Sequence, residues 1–142
     1  MPAGWDIVDS VLQAQLGDWL AARAGDADYQ MCLYSNGYTP IPGSDITDYT
    51  ECTFPGYVRQ PFTMATFPFP TMTSHVAISQ YPSALTFAAA SSGFSTEDVQ
   101  GYFVLDSLGV YQWGESFATV RKMHPSEDID VTPILRHATI PA

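Results

Sequence analysis

Residues 99–117 read Val-Gln-Gly-Tyr-Phe-Val-Leu-Asp-Ser-Leu-Gly-Val-Tyr-Gln-Trp-Gly-Glu-Ser-Phe. Two runs rich in aromatic and β-branched residues flank a short Asp-Ser-Leu-Gly turn, the pattern of a β-hairpin. With Leu105 opposite Val110, Val104 faces Tyr111 and Tyr102 faces Trp113, while Phe103, Leu105 and Val110 lie on the other side. Both faces are then apolar, whereas a hairpin with one wet face alternates apolar and polar residues. Such a segment needs cover on both sides, from its own core or from another molecule. It points to a protein that assembles.

The rest of the chain fits a turn-rich β domain. Eleven prolines and ten glycines in 142 residues are too many for a helix bundle. A hydrophobic content of 46% is enough for a core, so the chain reads as one domain rather than a disordered one. Residues 6–22 carry the one convincing helix, with Ile7, Val8, Val11, Leu12, Leu16, Trp19 and Leu20 on one stripe. Gly17 is expected to weaken it locally. This helix either closes its own domain or acts as an arm, with Trp5 near its start, that docks on a neighbour. Strands are expected at 29–34, 56–63, 75–80, 83–89, on both sides of the hairpin turn, and at 128–139. Residues 121–127 read as a polar connection. Pro61 and Pro133 push their strands to edges or bulges. The expected fold is an antiparallel β-sandwich or small barrel of about seven strands, with residues 1–25 as helix or arm and 26–142 as the sandwich.

Fifteen acidic against five basic residues give a formal charge of −10. Such a chain cannot neutralise many phosphates, so direct nucleic-acid binding is not expected. An anionic membrane surface would repel it as well. The first residues lack the basic and apolar regions of a signal peptide, and no run has the length of a transmembrane helix. Cys32 and Cys52 therefore read as free, buried thiols, with a bridge between them as the alternative.

Chemistry-bearing patterns are sparse. The chain has no Gly-x-Ser-x-Gly elbow, no phosphate-cradling glycine loop and no dinucleotide fingerprint. His75, His124 and His137 lack zinc-site spacing. Glu127, Asp128 and Asp130 could offer oxygens to Ca²⁺, yet nothing matches the EF-hand pattern and they read instead as an acidic turn before a strand. Asp45, Asp48 and Glu51 read as one solvated face of a helical turn. No enzyme activity, cofactor or metal is expected. Phe67 and Phe69, alternating with Pro68 and Pro70, form either an exposed contact patch or a loop folded back on its own core. Tyr102, Tyr111 and Trp113 could instead form a flat sugar-binding platform.

Several segments carry a resemblance. Gly101-Tyr-Phe-Val-Leu-Asp106, Trp113-Gly-Glu-Ser-Phe117 and Asp130-Val-Thr-Pro133 resemble the C-terminal part of small virion structural proteins of tailed bacteriophages, which sit on or near the capsid as decoration or cement proteins. Leu33-Tyr-Ser-Asn-Gly37 and Tyr49-Thr-Glu-Cys-Thr-Phe-Pro-Gly-Tyr57 are similar to the N-terminal part of the same group. The resemblance covers about half the chain and departs from the group at the Phe-Pro-Phe-Pro segment and the acidic loop 40–51. It implies a β-rich fold, no cofactor, a place on the capsid surface of the virion after synthesis in the host cytoplasm, and dimers or trimers that bridge the major capsid protein or other virion proteins. Trp5, Phe67, Phe69, Tyr111 and Trp113 are the expected contact residues. A head–tail connector or tail-base component, and a carbohydrate-binding β-sandwich, are the rival expectations.

Overall fold

The computed structural model describes the backbone of residues 2–138 and the side chains of residues 10–137. Along the chain run α1 (Pro2–Arg23), β1 (Tyr29–Tyr34), β2 (Gln60–Phe62), β3 (Thr71–Thr73), β4 (Val76–Gln80), β5 (Leu85–Ala88), β6 (Glu97–Leu105), β7 (Tyr111–Met123), β8 (Asp128–Val131) and β9 (Ile134–Ala138), with short 3₁₀ turns at Ile46–Asp48 and Met64–Thr66. The chain is mainly β, with three antiparallel sheets and one N-terminal helix, consistent with a small β-sandwich. Contacts divide it into two compact units, each assembled from separated segments: Ala27–Phe62 with Leu85–Val131, and Met1–Asp26 with Thr63–Ala84 and Thr132–Ala142.

The larger unit holds a four-stranded sheet in the order β2-β1-β6-β7 and the pair β5-β8. The expected hairpin is present, but its register differs: Leu105 stands opposite Tyr111 and Val104 opposite Trp113, with a shift between the two pairs. Gln112 is the extra residue on β7, and it arises because the turn spends Val110 on closing the loop with Asp106. A second irregularity falls between Val99 and Gly101, where β7 carries residues 117–120 against Gln100 alone. β7 then continues through what reads as a polar connection, pairing Arg121, Lys122 and Met123 with Val99, Asp98 and Glu97. Lys122 Nζ pairs with Asp98 at 3.0 Å across this stretch, and the buried Met123 ends it.

Gly101 allows this crowded geometry. A Cβ there would lie 2.1 Å from the Glu115 carbonyl oxygen and 2.7 Å from the Tyr34 hydroxyl. Only a residue without a side chain lets the two strands and the tyrosine meet. Tyr102, Phe103, Val104 and Leu105 are all buried, so both faces of β6 are covered within one chain.

The smaller unit pairs β3-β4-β9 and sets α1 against β4. Leu12, Leu16 and Leu20, four residues apart, are buried, while Val11 is exposed, so the buried stripe is narrower than the sequence suggests. Gly17 serves as a notch: a Cβ there would come within 2.7 Å of the Phe69 ring. Arg23 stacks its guanidinium 3.9 Å from the Trp19 ring and donates to the Trp19 carbonyl at the helix end. The turn between β3 and β4 places Ser74 and His75 at positive φ, the two-residue turn that matches strand twist.

The single strand expected at 128–139 is two strands. Thr132 and Pro133 interrupt it, because proline cannot donate to a ladder. β8 pairs with β5 and β9 with β4, so one continuous stretch of sequence contributes to both units. This break, and the short β3, raise the strand count from about seven to nine among the described residues.

The steric role of Gly101 is separable from backbone conformation. Gly101→Ala is expected to lose about 3 kcal/mol of unfolding free energy in urea titrations, the upper end of overpacking costs. Gly109, at φ +82° with open space where its Cβ would stand, should lose about 1 kcal/mol on the same substitution. Equal losses at the two positions would refute the steric account.

Candidate functional site

In the larger unit the covered face of β6 is an aromatic assembly built around Tyr49. Its ring stacks on Phe103 at 4.7 Å and receives Tyr34 and Tyr38 edge-on at 4.9 and 5.2 Å. Tyr111 completes it, with ring centroids 5.4 Å apart and the two hydroxyls 2.6 Å apart. Tyr49 reaches this place from the loop 35–51, which is tied down by its own polar groups. Asn36 accepts from the Thr50 amide and donates to the Asp48 carbonyl. Asp45 and Asp48 cap the 3₁₀ turn reciprocally. Burial, together with the neighbouring Tyr111 and Tyr38, pushes the Tyr34 phenol up to about 12. Burial, then the bond to Tyr111, raises Tyr49 further. These phenols stay neutral at ordinary pH and act as packing and hydrogen-bonding groups.

Beside the assembly lies a partly buried ion pair. Glu51 receives Arg59 Nε and Nη2 at 2.9 and 2.8 Å and the Tyr57 hydroxyl at 2.6 Å. The Tyr57 oxygen in turn accepts from the Leu33 amide. Burial alone would raise Glu51, but the bonds from Arg59 and Tyr57 outweigh it and hold the carboxylate below its ordinary range. Glu51 is therefore already committed and is poorly placed to take a proton from a substrate. Cys32 and Cys52 are both free and buried. Burial, with the Glu51 charge adding to it, pushes the Cys32 thiol up to about 12, and burial raises Cys52 as well. Neither supplies a thiolate at neutral pH. Among the described residues no three His, Cys, Asp or Glu side chains converge as a metal site. Asp130 accepts from the Thr86 hydroxyl at 2.7 Å across the β5–β8 pair. No described helix is long and apolar enough to cross a membrane.

The expected contact residues separate into three kinds. Phe67 is only 7% exposed and packs edge-on against Tyr81, so it belongs to the core rather than to the surface. Phe69 is 67% exposed and leans over Gly17 beside a shallow apolar depression of about 200 Å³. The alternation Phe-Pro-Phe-Pro sends one ring inward and the next outward. Tyr111 and Trp113 are half-buried and engaged, Tyr111 with Tyr49 and Trp113 edge-on with Phe62 at 6.3 Å. With Tyr102 fully buried, the three do not form an exposed flat platform. Trp5 has its side chain outside the described residues.

The hairpin turn offers what the strands withhold. Leu108 is 87% exposed and Val110 is 55% exposed. Asp106 staples the turn: its Oδ1 accepts from the amides of Leu108 and Val110, both at 2.9 Å, and its Oδ2 from Gln112 Nε2. Gly109 at positive φ closes it with a bond to the Asp106 carbonyl. The result is an apolar residue on a fixed tip. The signal was in the sequence: turns favour polar residues, and Asp-Ser-Leu-Gly spends its third position on leucine.

Two outcomes follow from this chemistry. Because Glu51 binds its proton less readily in the fold than at its ordinary value of 4.5, its contribution is complete above that value and is lost as pH falls below it. Glu51→Gln should therefore flatten the acid limb of a stability–pH profile and cost about 1–2 kcal/mol at pH 7, and an unchanged acid limb would refute the role given to Glu51. Neither thiol should react with a disulfide reagent at pH 8 in the native protein, and both should react in urea; a native thiol that reacts promptly would contradict the burial. Comparisons with protein-family models, with curated proteins and with solved structures find no match for this chain.

Proposed function

We propose that this protein is a structural component of a bacteriophage virion, a decoration or cement protein that bridges neighbouring capsid subunits. The observation that carries the reading is the stapled tip of the hairpin, with Leu108 and Val110 projecting into solvent. Each compact unit presents such an apolar residue on a constrained turn, Leu108 in one and Phe69 between two prolines in the other. A rigid apolar knob loses little conformational freedom on docking, which suits a contact repeated many times on a lattice. Each buried knob contributes about 1.5–3 kcal/mol.

The segments that resemble phage virion proteins support the same reading in a different way. Leu33–Gly37, Tyr49–Tyr57, Gly101–Asp106 and Trp113–Phe117 lie in the larger unit, and Asp130–Pro133 runs from it into the smaller one. Their residues meet there: Tyr49 on Phe103, Cys52 N–H on the Leu33 carbonyl, the Tyr57 hydroxyl at the Leu33 amide. The residues of these segments are thus ones that build a framework, which is what supports the reading. A charge of −10 favours the outer surface of a capsid over its DNA-lined interior.

The test is co-sedimentation of the purified protein with capsids. Wild type should bind, and Leu108→Asp should weaken binding about tenfold or more with an unchanged circular dichroism spectrum, because the residue is exposed. Wild-type protein that never co-sediments would overturn the proposal. Gold label confined to one vertex or to the tail would replace it with a connector role.

A further inference from the structure

The two edges of the four-stranded sheet are treated differently. β2 ends one side with three residues and a central proline, Pro61, which blocks pairing. β7 ends the other side with thirteen residues and no proline. Residues 117–120 of β7 have only Gln100 across from them, so most of their backbone is not spent on β6. Ala118, Thr119 and Val120 are exposed. Phe-Ala-Thr-Val is a β-prone sequence, left open at the end of a sheet.

The charges on β7 indicate what fits against it. In a chain with fifteen acids and five bases, this strand carries Glu115 before its open stretch and Arg121 and Lys122 after it. Glu115 accepts from the Tyr102 hydroxyl, Arg121 donates to the Asp130 carbonyl and Lys122 pairs with Asp98, bonds that hold these charges in place beside the edge. A second β7 laid antiparallel about Ala118 brings Glu115 of each copy beside Arg121 of the other. A parallel, in-register copy would set like charges against each other. We propose that β7 pairs antiparallel with β7 of a second copy of this chain, extending the sheet across a two-fold axis near Ala118. Because the same edge serves both copies and Pro61 closes the opposite edge, association stops at two. Dimerisation in solution is independent of the capsid reading: either can fail while the other holds.

Both native cysteines are buried, so a cysteine placed at Ala118 would be the accessible thiol. Antiparallel partners stand about 4.5–5.5 Å apart at Cα, within the reach of a disulfide. Under mild oxidation Ala118→Cys should form a disulfide-linked dimer about tenfold faster than the control Ser107→Cys on the exposed hairpin turn. Wild-type protein should sediment increasingly as a dimer up to about 100 μM, and Ala118→Pro should sediment as a monomer with its dichroism intact. A wild type that remains monomeric over that range, or equal oxidation rates for the two cysteine variants, would overturn the proposal. If Ala118→Pro fails to fold, the cysteine pair and the wild-type sedimentation decide alone.

Discussion

The packing of the Tyr49 ring against Phe103 is the contact on which the larger unit depends. β6 is buried on both faces, and a central strand of that kind requires two covers. One of them is not a sheet at all. It is a loop of low regularity that delivers a single aromatic ring, surrounded by Tyr34, Tyr38 and Tyr111. The loop can do this because its backbone groups are met elsewhere, by Asn36, by the Asp45–Asp48 caps and by the bridge between Tyr34 and Glu51. Polar residues that look like a solvated acidic face are the anchors of an apolar lid. Gly114 belongs to the same arrangement, since a Cβ there would fall 2.4 Å from the Tyr49 hydroxyl.

Glu51 links this lid to the edge of β1. Past the end of β2, the Leu33 amide and carbonyl are taken by the Tyr57 hydroxyl and the Cys52 amide. A side chain and a loop thus continue the sheet where no strand does, and the Arg59–Glu51 pair holds the side chain in place. The register that sets Tyr34 opposite Glu51 also sends Cys32 and Cys52 to opposite faces. That explains in simple geometric terms why two cysteines so close along adjacent segments remain thiols.

Much of the architecture was legible in the sequence, and the misses have local causes. Tyr29–Tyr34 reads as a strand and is one, because its apolar run ends at Ser-Asn-Gly. The hairpin reads correctly as an element, but its register depends on Asp106 accepting from two amides, which spacing alone does not reveal. Residues 121–123 look like a connection because they are charged, yet they pair with Val99, Asp98 and Glu97, and Met123 at their end is buried. Periodicity likewise marks 128–139 as one strand, with Pro133 at an edge or bulge; the proline instead divides it between two sheets. At the candidate site, composition located the aromatic segments but could not tell Phe67 from Phe69, since proline alternation leaves direction undecided. It overlooked Leu108, whose exposure comes from the turn and not from any strand pattern.

The division of 128–139 by Pro133 has a mechanical consequence. Only Thr132 and Pro133 separate the last residue of β8, held in its ladder with β5, from the first residue of β9, held in its ladder with β4. Two residues leave almost no slack, and the proline ring removes part of what there is. Fraying of either ladder at this end therefore pulls on the other, so the two units are coupled through the backbone itself.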